Sequence, residues 1–140
     1  FPVKTPKKPR RIEARTVLRL EREGRIALHR RPAKGLLAGL WELPNAEGAL
    51  TCEDIRRLAK EAGWKLLSLH PLPPARHVFT HVEWHLTGWH LSLAKAETEA
   101  AAPPPLSHLR WVSPAEAARR YGIPAAFHYY FPINPSAPTL

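Results

Sequence analysis

The segment His77 to His85, HVFTHVEWH, gathers the side chains best suited to chemistry: three histidines four residues apart, with an aromatic ring, a hydroxyl and a carboxylate between them. On a helix, His77, His81 and His85 would stack on one face as metal ligands. The intervening Val78, Phe79, Thr80, Val82 and Trp84 are β-branched or aromatic, which favours a strand or a strand interrupted by a turn. Four residues of strand span roughly 13 Å, too far for two ligands of one metal ion. Alternation along such a strand puts Val78, Thr80, Val82, Trp84 and Leu86 on a core face, and His77, Phe79, His81, Glu83 and His85 on the other. A phenyl ring among exposed hydrogen-bonding groups suits an aromatic nucleobase. The plainer reading has Phe79 covering a satellite apolar cluster and the histidines solvated.

The elements that must position this segment follow from punctuation. Ile12 to Leu20 and Arg25 to Arg30 alternate as two strands joined by a Glu23-Gly24 turn, and a glycine-punctuated loop follows. Thr51 to Ala62 is the clearest helix: Thr51 is an N-cap with Asp54 three residues on, Ile55, Leu58 and Ala62 share a stripe, and Gly63 ends it. Trp64 to His70 and His77 to Leu93 read as strands around a proline-rich turn, Ala100 to Pro105 as a loop, and Leu109 to Val112 as a short strand. Ser113 caps a further helix with Pro114 in its first turn, ending at Tyr121-Gly122, and Ile123 to Phe131 holds a last helical turn. The five tryptophans are read as packing residues, as are Leu36, Leu37, Leu40 and Trp41.

Length and charge bound the function. A chain of 140 residues with 44% hydrophobic content builds one core and one domain. The expected division is a basic linker over residues 1–11, the folded domain over 12–131 and a tail over 132–140. Lys and Arg number 21 against 12 Asp and Glu, a net charge of +9 that favours polyanions such as nucleic acid or an anionic membrane surface. The longest apolar run, Gly35 to Trp41, is far short of a membrane span, and no signal-peptide core is present, so an intracellular protein, cytoplasmic and nucleoid-associated in a prokaryote, is expected. A lone cysteine, Cys52, rules out an internal disulfide or an iron–sulfur cluster held by several thiolates of this chain. With no Met and Phe1 at its start, the sequence reads as a piece of a longer translated protein.

Four stretches together resemble one family: RRPAKGLLAGLWELPNAEG (Arg30 to Gly48), EAG (Glu61 to Gly63), HVFTHVEWHLTGW (His77 to Trp89) and WVSPAEA with YGIPAAF (Trp111 to Phe127). They are similar to the C-terminal domain of MutY-type adenine DNA glycosylases. The resemblance implies an α+β, Nudix-like fold, with a mixed sheet flanked by helices. It also implies a role in recognising 8-oxoguanine opposite mispaired adenine, on double-stranded DNA. The catalytic carboxylates and an iron–sulfur cluster would then belong to a separate N-terminal glycosylase domain, leaving this chain without cofactor, metal or catalytic residue of its own.

The same resemblance raises two alternatives, an active Nudix hydrolase of nucleoside diphosphate derivatives and a protein-interaction module. Nudix hydrolases hold magnesium with a helix of the pattern Arg-Glu-apolar-x-Glu-Glu-x-Gly. Here Arg56-Arg57-Leu58-Ala59-Lys60-Glu61-Ala62-Gly63 puts Arg57 and Lys60 at two of the three glutamate positions. The hydrolase site reads as dismantled. Phe79, Thr80 and His81 match the family's Phe-Ser-His loop, so the resemblance makes them the lesion-recognition triplet, with the threonine hydroxyl in place of serine's. His81 would either donate to a phosphate or orient the loop, while His77 and His85 take surface or supporting roles. Lys4, Lys7, Lys8, Arg10 and Arg11 in the linker, and Arg30, Arg31 and Lys34 in the glycine loop, are candidate contacts to the DNA backbone, or else solvated charges.

Overall fold

The computed structural model describes residues 9–96 and 102–131. Its centre is a mixed sheet in which β1 (Arg11–Arg22) and β6 (Val82–Leu93) pair in parallel along their whole lengths. β5 (Leu66–Val78) lies antiparallel on the far side of β6, while β2 (Arg25–Arg30) continues the sheet from β1 toward β3 (Trp41–Glu42). Two short strands complete it: β4 (Asn45–Glu47) pairs with β1, and β7 (Arg110–Val112) with β2. The β1–β2 connection turns at Glu23 and Gly24, both at positive φ (51° and 75°), the geometry a tight right-twisting hairpin requires.

Alternation along β1 sends its residues into two layers. Leu18 and Leu20 join Ile55, Ala62, Leu91 and Leu93 beneath α1 (Cys52–Glu61). Val17 faces the opposite layer with Leu28, Leu43, Trp84, Leu86 and Phe127, closed by α2 (Pro114–Arg120) and a 3-10 turn (Ala125–Phe127). The expected capping box is present: the Thr51 hydroxyl accepts from the Asp54 amide at 3.2 Å, and the Asp54 carboxylate accepts from the Thr51 amide at 2.9 Å. Ser113 likewise accepts from the Glu116 amide, with Pro114 in the first turn. Trp84 is buried, and Trp41, Trp64, Trp89 and Trp111 pack partly buried against the two clusters, as their reading as packing residues requires.

Three local expectations are corrected. The chain does not turn at the prolines after His70: β5 runs on through Pro71, Pro73 and Pro74 with an irregularity between Leu72 and Ala75. As the edge strand it leaves one side without a partner, where a missing N–H costs nothing. The turn falls instead at Phe79, Thr80 and His81, dividing what alternation read as one strand. The parity inverts there, because His77 pairs opposite Trp84 and Val78 opposite Glu83. Val78 is therefore 49% exposed, and Phe79 packs partly buried against the core. Finally, Leu36 and Leu40 are exposed rather than core, since the loop between β2 and β3 swings outward on positive-φ residues Gly35, Leu37 and Gly39. The tail from 132, and Ala100 and Ala101 of the expected loop, lie outside the described residues.

Candidate nucleic-acid interface

The Phe79-Thr80-His81 triplet forms the tip of the β5–β6 hairpin. The Phe79 amide donates to the Val82 carbonyl at 2.8 Å, closing the turn, and the Arg11 amide donates to the His81 carbonyl at 3.2 Å, tying the tip to the start of β1. Thr80 and His81 are exposed. Among the described residues no side-chain hydrogen bond engages either of them, so the hydroxyl and the imidazole remain available to a ligand. Phe79 is turned partly inward, its ring meeting His77 and Trp84 edge-on, each at 4.9 Å between centroids. His77 is held in turn by Tyr129, whose hydroxyl lies 3.3 Å from Nδ1. Burial, and next the neighbouring His128, holds the His77 imidazole below its ordinary pKa, so the ring is neutral at physiological pH.

The tip stands on a rigid base. Trp84 is 1% exposed, packs edge-on against Phe127, and donates its indole N–H to Glu13 at 3.1 Å. Two guanidiniums, those of Arg15 and Arg31, lie 5.2 Å and 5.6 Å from the same indole ring. Arg31 is neutralised by the buried Glu42 at 2.7 Å, which also faces His29 at 3.3 Å. Arg15 is bonded twice to the Asn45 side-chain oxygen, at 2.9 Å and 2.7 Å. Burial, then repulsion from Arg31, lowers the Arg15 pKa, although the group stays charged.

The candidate backbone contacts separate into distinct environments. Lys4, Lys7 and Lys8 lie outside the described residues. Arg10 is exposed, and Arg11 pairs with Glu13 at 2.8 Å near the tip. Arg30 is exposed and donates to the Gly39 carbonyl, Lys34 is exposed, and Arg31 is committed to Glu42. The loop thus keeps Arg30 and Lys34 facing solvent, while Arg31 supports Trp84 from within.

The NUDIX domain model matches residues 15–131. This chain belongs to the NUDIX domain family. It is 32% identical over 130 residues to human adenine DNA glycosylase, covering 83% of this chain and 22% of that protein. It is 30% identical to the mouse adenine DNA glycosylase over 145 residues, 93% of this chain and 27% of that one. The NUDIX domain therefore spans about a quarter of the length of these two relatives. Among solved structures it is similar to the C-terminal domain of mouse MUTYH in complex with human PCNA, with 25% identity, a TM-score of 0.57 and 86% of each chain covered.

Within this NUDIX domain the helix that hydrolases use for magnesium is unsuited to a cation. Glu61 is exposed at the end of α1, Lys60 is exposed beside it, and Arg57 is bound at 2.9 Å to Asp54, a capping residue. A cavity of about 310 Å³ between β1, β2, β4 and the 104–107 loop is lined by one carboxylate, Glu47, together with Arg15 and His29. Among the described residues no group of three or more His, Cys, Asp or Glu side chains could hold a metal ion. Among the described residues, the side chains of α1 and of this cavity do not fit a divalent cation. Likewise, no helix among the described residues is long and apolar enough to cross a membrane.

Sequence reasoning missed Arg15, Glu42 and Tyr129. A signal for Arg15 did exist, since it shares the odd-numbered face of β1 with the buried Val17, and a cation there implies a partner. Tyr129 gave no such signal, because its contact with His77 crosses 52 residues of sequence.

Proposed function

We propose that this NUDIX domain is the lesion-reading, non-catalytic part of an adenine DNA glycosylase, recognising 8-oxoguanine opposite mispaired adenine in duplex DNA inside the cell. The observation that carries the proposal is the 32% and 30% identity, over most of this chain, to two adenine DNA glycosylases. The exposed triplet at the hairpin tip supplies the chemistry. Guanine and 8-oxoguanine differ at C8, which gains a carbonyl oxygen, and at N7, which turns from acceptor to donor. The Thr80 hydroxyl accepts from N7–H while main-chain N–H groups of the turn donate to the new oxygen. Phe79, buttressed by His77 and Trp84, presents an edge beside the base rather than a freely projecting ring.

Adenine removal, with its catalytic carboxylates and iron–sulfur cluster, belongs in this reading to an N-terminal domain of the same protein. Lys4, Lys7, Lys8, Arg10, Arg11, Arg30 and Lys34 supply backbone contacts that set register without reading sequence. Arg31 acts indirectly, through Trp84.

The experiment is the ratio of adenine-excision efficiencies on 8-oxoguanine:adenine and guanine:adenine duplexes in the full-length protein. Thr80→Ala removes about 1–3 kcal/mol of discrimination, lowering that ratio roughly 5- to 150-fold. Lys8→Ala weakens both substrates together. An unchanged ratio in both Thr80→Ala and the Phe79→Ala/His81→Ala double variant, with the enzyme folded, refutes the assignment.

A further inference from the structure

Among the described residues, one part of the sheet has no layer over it. On the α1 side of the sheet the helix covers Leu18, Leu20, Leu91 and Leu93, and it stops short of the rows formed by the start of β1, the start of β6 and the end of β5. Those rows read Ile12, Glu83, Val78 and then Ala14, His85, Arg76, in register across the three strands. Ile12 is 62% and Val78 49% exposed, an unusual surface for β-branched residues in a regular sheet. Strands about 4.8 Å apart make the strip roughly 10 Å wide.

Its charge is unbalanced. The single carboxylate, Glu83, is engaged by His85 at 2.6 Å. The His85 hydrogen bond, and at longer range Arg76 and Arg10, hold that carboxyl below its ordinary pKa, and Arg76 stands in register directly opposite His85. Arg76 and Arg10 are themselves exposed. The strip is also continuous with the reading tip, since Val78 immediately precedes Phe79 and the Arg11 amide is bonded to His81.

We propose that this uncovered strip is a second DNA surface, in which Arg76 and Arg10 bind backbone phosphates of the strand crossing the hairpin tip while Ile12 and Val78 pack against its deoxyribose rings. The excess of cations over one occupied carboxylate matches a polyanion rather than a neutral protein face, and duplex DNA presents one negative charge per roughly 1.7 Å. Arg76 and the two apolar residues thereby gain a role that the lesion-reading triplet does not require. The inference rests on the lesion-reading function proposed above.

The test is the salt dependence of duplex binding by the full-length protein. Arg76→Gln and Arg10→Gln should each reduce the log–log salt slope by about 0.9, and should weaken 8-oxoguanine:adenine and guanine:adenine duplexes by the same factor. Ile12→Ser with Val78→Ser should weaken both duplexes while leaving the slope unchanged. An unaltered slope in the Arg10→Gln/Arg76→Gln double variant overturns the strip. So does Ile12→Asp lowering the melting temperature of the full-length protein with DNA affinity intact, because another protein surface would then cover it. If Thr80→Ala still lowers discrimination, either result removes the strip alone; a Thr80→Ala variant with unchanged discrimination removes the reading on which it rests.

Discussion

Replacing Glu42 by leucine should be among the most damaging single changes in this domain, and its cost can be worked from the geometry. Glu42 is 4% exposed and lies 2.7 Å from the Arg31 guanidinium, whose side chain is itself only 13% exposed. With the carboxylate gone, Arg31 keeps its bond to the Leu36 carbonyl at 2.9 Å but shares the Trp84 ring with Arg15 and has no balancing charge beside it. Removing one partner of a buried pair costs about 3–5 kcal/mol. The remaining carbonyl bond and residual exposure argue for the lower end. For a domain of this size that is a fall in melting temperature of roughly 10 °C. Urea denaturation should show the change in midpoint with the slope preserved. Converting the pair to apolar residues, as Glu42→Leu with Arg31→Met, should recover most of the loss, because no uncompensated charge then remains. A cost below about 1 kcal/mol for Glu42→Leu alone would refute the claim that this ion pair supports the base of the hairpin.

Gly88→Ala should destabilise by about 1–3 kcal/mol by thermal unfolding, since an added Cβ would stand 3.1 Å from the Tyr130 ring and 3.2 Å from Leu72. Burial pushes the Tyr130 hydroxyl up to about 12, so its bond to the Pro73 carbonyl persists across the working pH range. Stability should fall as pH drops below 6.5: burial, and next Arg19, holds His90 below that value in the folded state, so the unfolded chain binds the extra proton. His90→Gln should reduce the slope of the pH profile below 6.5 without abolishing it, because His77, also held low by burial, contributes in the same window; Asp54 and Glu83, whose lowered pKa values stabilise the fold at higher pH, add their loss at lower pH still. No magnesium- or manganese-dependent hydrolysis of nucleoside triphosphates is expected, 8-oxo-dGTP included; turnover abolished by Glu61→Gln would contradict the reading of α1.

What the sequence made legible was local. The Thr51 capping box, the Ser113-Pro114 start of α2 and the Glu23-Gly24 turn each depend on residues within a few positions, and each appears where composition puts it. The mixed sheet between two helical layers was expected through family resemblance, not through propensity. Non-local placement was misread. Pro71, Pro73 and Pro74 signal a turn by themselves, and only the position of β5 at the sheet edge makes them tolerable in a strand. Strict alternation over His77 to His85 failed because the three-residue tip inverts which side of the chain faces the core. The triplet itself was visible as a cluster of unusual residue types. Its buttress was not, since Glu42, Arg31 and Arg15 come from three separate strands or loops and converge on Trp84 only in the folded sheet.

The most direct measurement is backbone amide NMR of this chain titrated with two duplexes that differ only in carrying 8-oxoguanine:adenine or guanine:adenine. If the hairpin tip reads the lesion, the difference between the two titrations should concentrate on Phe79, Thr80, His81 and Val82, while Arg10 and Arg30, proposed to contact phosphates, shift alike with both. Differences that map instead to α1 around Arg57, Lys60 and Glu61, or no difference at the tip under saturating binding, would contradict the account.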